Sequence, residues 1–193
     1  MEGELADLTF SIALTDDHLS VYSVRLSELL LRACAECENA AKSLCIDRDL
    51  NAAGRVTQAL NFPSVLDVIC PSIPIEKKEL LITWPYQSLS STELKPFGSW
   101  VLASGVNPDW FKAYNEVKHN RINNAKQANL GNVIHAVGGL FVLNLWLREE
   151  EISFANEHRN LVDRRMESYS KFFSPRKFFK RSEGGNYGNL VLS

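Results

Sequence analysis

The chain has 193 residues, 45% of them hydrophobic and 23% charged, enough to bury one sizeable core and ordinary for a soluble domain. A formal net charge of -2 and a pI near 6.1 argue against a protein that coats nucleic acid through overall charge, so any such contact has to be local. No phosphate loop, dinucleotide fingerprint, H-E-x-x-H pair or G-x-S-x-G elbow occurs, which removes most nucleotide-hydrolase and metalloenzyme readings.

Residues 1–16 read as an arm of mixed character, with a short strand at Leu8 to Leu14. The opening MEGELADLTF is acidic and lacks the basic and apolar regions of a signal peptide. Thr15-Asp16-Asp17 offers an N-cap with acidic residues in the first turn. Leu19, Tyr22, Leu26, Leu29, Ala33, Cys37, Ala40 and Leu44 then recur at three and four, which predicts a helix from Asp17 to Cys45. Cys34 and Cys37 form a C-x2-C pair inside that helix, but no second pair follows at zinc-site spacing. With Cys45 and Cys70 they read as reduced, mostly buried thiols of a cytoplasmic protein, and no metal site is expected.

A second helical stretch is predicted from Leu50 to Leu60, followed by a turn at Val65 to Cys70, with Pro63 forbidding an ideal helix through the junction. Pro71, Pro74, Pro85, Pro96 and Pro108 deny long helix to residues 71–109. This stretch reads as a long ordered connection wrapped on the core, with an extended piece at Leu80 to Trp84 and aromatic anchors at Trp84, Tyr86, Phe97 and Trp100. Asn107-Pro108-Asp109 marks the next helix start.

Residues 110–121 predict that helix, with Trp110, Ala113, Tyr114 and Val117 on its core side. Lys112, Asn115 and His119 fall on the other side, with Phe111 and Lys118 at the flank of that stripe. The segment from Ala125 to Glu150 predicts a helix hydrophobic nearly all round, the central member of a bundle. Its apolar run Val133 to Leu147 is short for a membrane span and contains His135 and Asn144, so a buried core helix is expected and no membrane contact. Gly138 and Gly139 each cost about 1 kcal/mol of helix propensity and imply close approach of a neighbouring helix. His135 reads as a satisfied core or interface histidine.

Residues 156–173 predict a charged amphipathic helix. Lys171 to Arg181, KFFSPRKFFKR, is the most basic and aromatic stretch of the chain. Arg176, Lys177, Lys180 and Arg181 are the RNA-contact residues such a pattern suggests, through phosphate attraction and base stacking, and Arg121 after the 110–121 helix is a further candidate. A membrane surface, a partner groove, or phenylalanines docked on the bundle with lysines in water fit the same pattern. Glycines and asparagines after Glu183 predict a flexible tail. The division is then an arm at 1–16, one helical domain at 17–173, and a basic, aromatic and then flexible tail at 174–193.

The segment Lys95 to Arg121, KPFGSW followed by NPDWFKAYNEVKHNR, with an apolar helix after it, resembles the motif region of the HEPN superfamily. That resemblance implies an all-α fold, an antiparallel bundle of four to five helices with a long irregular aromatic-rich connection. It also implies a metal-independent endoribonuclease or RNA-binding protein without cofactor, in a bacterial defence or toxin–antitoxin setting. The family motif, R-x4-6-H with a polar residue after the arginine, lays its histidine on His119 and its polar residue on Asn115. The arginine position is Tyr114 for a four-residue spacer and Lys112 for a six-residue spacer, so this chain departs from the pattern. Lys112, Lys118 or Arg121 would have to supply the positive charge, and Glu38 is a candidate for orienting His119, although pairing with Lys42 at i,i+4 is the simpler role. The resemblance further implies a homodimer with composite sites, and an antitoxin or nucleotidyltransferase as partner. The alternative is a catalytically silent helical dimer that serves as a binding or scaffold module.

Overall fold

The structure, a computed structural model, describes residues 1–47, 60–100, 106–148, 170–181 and 187–191, with the backbone alone for residues 176–181 and 187–191. Helix α1 (Glu2–Thr9), strand β1 (Leu14–Thr15) and a 3-10 turn (Asp16–Ser20) precede the long α2 (Val24–Asp47). They are followed by α3 (Phe62–Ile69), β2 (Glu79–Ile82), β3 (Gln87–Ser88), β4 (Glu93–Leu94), α4 (Asp109–His119), α5 (Leu130–Leu147), β5 (Phe173–Arg181) and β6 (Tyr187–Val191).

The core is built on α2 and α5. Helix α2 buries Leu26, Leu29, Leu30, Ala33, Cys34, Cys37, Ala41 and Leu44, the three-and-four spacing of one apolar face. Its short side chains admit α5 closely: the Cys37 thiol donates to the Ala136 carbonyl at 3.4 Å in a buried contact. The helix begins at Val24 rather than Asp17 because Ser23 caps it, its Oγ accepting from Leu26 N at 3.2 Å. Val21 is extended and its carbonyl accepts from Leu130 N at 2.9 Å, while Tyr22 bridges Asn129. A contact to a residue far along the chain therefore sets where α2 can start.

Helix α3 answers the Pro63 constraint by starting anew. Asn61 Oδ1 accepts from Ser64 N at 3.0 Å, and Pro63 sits in the first turn, where a missing N–H costs no helical hydrogen bond. The stretch predicted as helix from Leu50 to Leu60 falls almost wholly outside the described residues, as do residues 156–169 of the predicted amphipathic helix.

The all-α bundle of four to five helices is not what forms. Strands in the order β4-β2-β5-β6 make an antiparallel sheet, and β1 pairs with β3 in a short parallel ladder, so the described fold mixes helix and sheet. In the sheet Leu80 stands opposite Leu94 on one side and Pro175 on the other, Ile82 opposite Phe173, and Phe178 opposite Leu190. Residues 173–181 and 187–191 are thus two paired antiparallel strands where a basic, aromatic and then flexible tail was expected. The extended piece expected at Leu80 to Trp84 forms as β2, a run too short for a helix yet long enough for a strand, and the difference lies in its pairing. Its partner β5 comes from the opposite end of the chain, a non-local pairing that no window of sequence displays.

The sheet packs on α5. A Cβ on Gly138 would stand 2.6 Å from Leu94 Cδ2 and 3.4 Å from both Leu80 Cδ1 and Pro96 Cγ. What approaches that glycine is a sheet, not the neighbouring helix the sequence suggested. Phe97 and Trp100 are buried as the expected anchors of the connection, whereas Tyr86 is 65% exposed. Trp84 stacks on Phe172 with centroids 5.5 Å apart. Helix α5 has the length and apolarity to cross a membrane, with 61% of its residues buried in the domain.

Candidate functional site

Helix α4 is held from both ends. At its start Asp109 N donates to Ser99 Oγ at 3.1 Å, and Trp110 Nε1 donates to the Pro96 carbonyl at 2.6 Å, which fixes the indole against the connection. Trp110, Phe111, Ala113, Tyr114 and Val117 are buried, Phe111 against Phe62 with centroids 4.7 Å apart. At its end the Glu116 carbonyl accepts from Asn120 N at 3.0 Å and Asn124 Nδ2 at 2.9 Å. Lys118 and His119 occupy the last turn, where cations are favoured by the helix dipole.

The opposite face is polar as the sequence indicated. Lys112 and His119 are exposed and Asn115 is half-buried. At about 100° per residue, Lys112, Asn115 and His119 fall within about 60° of one another, a single stripe. Lys112 is engaged with Asp109, Nζ to Oδ1 at 3.1 Å. Among the described residues neither the His119 ring nor the Asn115 amide makes a hydrogen bond. Lys118 lies beside the stripe with its ammonium 5.3 Å from the Tyr114 ring centroid. Arg121 is tied elsewhere, donating to the Val24 carbonyl at 3.3 Å and standing 3.8 Å from Glu28. Glu38 pairs with Lys42 at 2.8 Å and has no contact with His119.

Tyr114 and Lys112 stand in very different places. Tyr114 is 7% exposed and packs on Phe111, so the position set by a four-residue spacer points into the core and offers no place for a phosphate-gripping cation. The six-residue spacer is the one that keeps its cation on the histidine's stripe. Arg176, Lys177, Lys180 and Arg181 belong to β5, in the sheet and not on α4.

A second feature was not legible as a site. A cleft of ≈ 600 Å³ opens where the start of α4 meets the start of α5 and the turn at Leu19 and Ser20. Ser99, Asp109, Trp110, Asn129, Asn132 and His135 line it, with Lys95 at its edge. Asn129 caps α5, its Oδ1 accepting from Asn132 N at 2.9 Å, and Asn132 Nδ2 donates to the Gln127 carbonyl at 2.8 Å. His135 is half-buried and, among the described residues, without a hydrogen bond; burial holds its pKa below 6.5, and the Asp109 carboxylate pulls the other way. His135, expected as a satisfied core or interface histidine, thus lines a cleft, with no hydrogen bond to a described residue. The signal was present in Asn129, Asn132 and His135, a three-residue repeat of polar groups at the head of an otherwise apolar helix.

All four cysteines are buried and free. Among the described residues no cluster of His, Cys, Asp and Glu has the makings of a metal site. Comparison with protein-family models, curated proteins and solved structures finds no match to this chain.

Proposed function

We propose that the chain binds and cleaves RNA through the polar face of α4, as a metal-independent endoribonuclease with HEPN-like chemistry. The carrying observation is that Lys112, Asn115 and His119 share one solvent-reachable stripe while the histidine ring and the amide make no hydrogen bond to any described residue. His119 takes the proton from a ribose 2'-OH, whose oxygen attacks the adjacent phosphorus. The bond to the 5'-oxygen breaks, that oxygen takes the proton now held by the His119 imidazolium, and a 2',3'-cyclic phosphate remains. Asn115 orients the phosphate, and the ammonium groups of Lys112 and Lys118 stabilise the charge that builds up on it.

A homodimer would complete such a site by bringing two stripes together. Ile122, 91% exposed beyond the end of α4, and Val24, 66% exposed beside Arg121, are apolar surface that such an interface would cover. Defence or toxin–antitoxin work, with an antitoxin or nucleotidyltransferase as partner, belongs to this same reading.

Two observations favour a second reading, a catalytically silent binding or scaffold module: the stripe holds no arginine, and Lys112 is already paired with Asp109. RNA cleavage by the purified protein and by His119→Ala, in EDTA and with product ends identified, separates the two. A cyclic-phosphate product lost in the folded variant supports the ribonuclease. A stable dimer by light scattering that cuts no RNA leaves the scaffold.

A further inference from the structure

We propose that the cleft at the head of α4 is a nucleobase pocket of the RNA site, an inference that rests on the ribonuclease reading above. Its volume, ≈ 600 Å³, is in the range of small-molecule sites and ample for one heterocycle. Its formal charges are balanced within the protein: Lys95 Nζ is 2.9 Å from Glu79 Oε1, and Asp109 Oδ1 is 3.1 Å from Lys112 Nζ. A small anion therefore finds little net attraction there, whereas a neutral polar ring needs no net charge and only hydrogen-bond partners to replace water.

The groups left over suit the edge of a base. His135 offers a ring donor and a ring acceptor, Ser99 a hydroxyl hydrogen, and Asn132 a carbonyl oxygen together with the one amide hydrogen not given to Gln127. Unstacked RNA bases are read in this way, by hydrogen bonds to their edges in a shaped pocket.

Position joins the cleft to the stripe. Asp109 lines the cleft and also touches Lys112, the first cation of the stripe. From Asp109, in the cleft, to His119 the helix rises about 15 Å, a span of about two nucleotides on an extended strand. A base in the cleft would then belong to a nucleotide about two removed from the scissile phosphate and would set sequence preference.

The test uses adenosine, guanosine, cytidine and uridine, which carry no phosphate, titrated into the full chain while the His135 ring resonances are followed by NMR. One or two of the four should saturate and move those resonances. His135→Phe and Gly131→Leu, each checked for an unchanged thermal midpoint, should weaken that binding at least tenfold by calorimetric titration, and His119→Ala should leave it intact. The pocket is overturned if no nucleoside moves the His135 resonances, or if inorganic phosphate moves them and the nucleosides do not. Nucleoside binding by a protein that cuts no RNA would keep the pocket and sink the ribonuclease; cleavage lost in His119→Ala, with no base preference and no His135 response, would do the reverse.

Discussion

Gly139 of α5 lies under the indole of Trp110 of α4, where a Cβ would stand 3.2 Å from Cζ2 of that ring. The neighbouring Gly138 is closer still to its own contact, 2.6 Å from Leu94 Cδ2. Yet the two should respond in the opposite order to their distances. Leu94 meets Gly138 with the tip of a flexible side chain, whereas Trp110 is pinned by its hydrogen bond to Pro96 at 2.6 Å and cannot swing away. Gly138→Ala, which gains about 1 kcal/mol of helix propensity, should lie within about 1 kcal/mol of neutral. Gly139→Ala should lose about 1–2 kcal/mol despite the same propensity gain, as measured by denaturant unfolding.

The two alternative arginine positions make opposite predictions. Tyr114→Arg would bury a guanidinium among Phe111 and its neighbours and should destabilise by about 3 kcal/mol or more without restoring activity. Lys112→Arg keeps the charge on the stripe and adds a planar fork for phosphate. It should leave the thermal midpoint unchanged and raise RNA cleavage severalfold, read from single-turnover rates.

His135 makes stability sensitive to acid. Burial lowers its pKa in the native state below the value of 6.5 that the unfolded chain shows, so below that pH the unfolded state binds a proton that the native state resists. Stability should therefore fall as pH drops below about 6.5 and level off once the native histidine also protonates. Thermal midpoints between pH 7.5 and 5 should decline more steeply in the parent chain than in His135→Phe.

The thiols should be silent in the native state. Burial pushes Cys34 and Cys37 well above the usual thiol range, Cys45 to about 11, and Cys70 upward with the help of the Glu76 carboxylate. Iodoacetamide at pH 8 should label none of the four at an appreciable rate until denaturant is added, as followed by intact mass. Rapid labelling of Cys34 or Cys37 in the folded protein would contradict their burial.

What the sequence determined by itself was periodic and local. The apolar face of α2, the core side and polar stripe of α4, the buried character of α5 and the proline-rich connection all follow from spacing, because a helix face repeats every three or four residues and prolines act where they stand. Thus Lys112, Asn115 and His119 are legible as one stripe from their spacing alone. The non-local parts were decided by tertiary structure alone. β2 and β5 are distant in the chain, and only their pairing turns a short apolar run and a basic tail into one sheet. The start of α2 was settled by Leu130 reaching Val21, and the role of Gly138 by a sheet lying over α5. The cleft belongs to the same class: Ser99, Asp109 and His135 come from three segments, and hydrogen bonding and packing at the head of α4 are what bring them to one place. Tyr114 shows the limit most plainly, since motif spacing alone offered it as an arginine position, while its burial against Phe111 excludes a charge there.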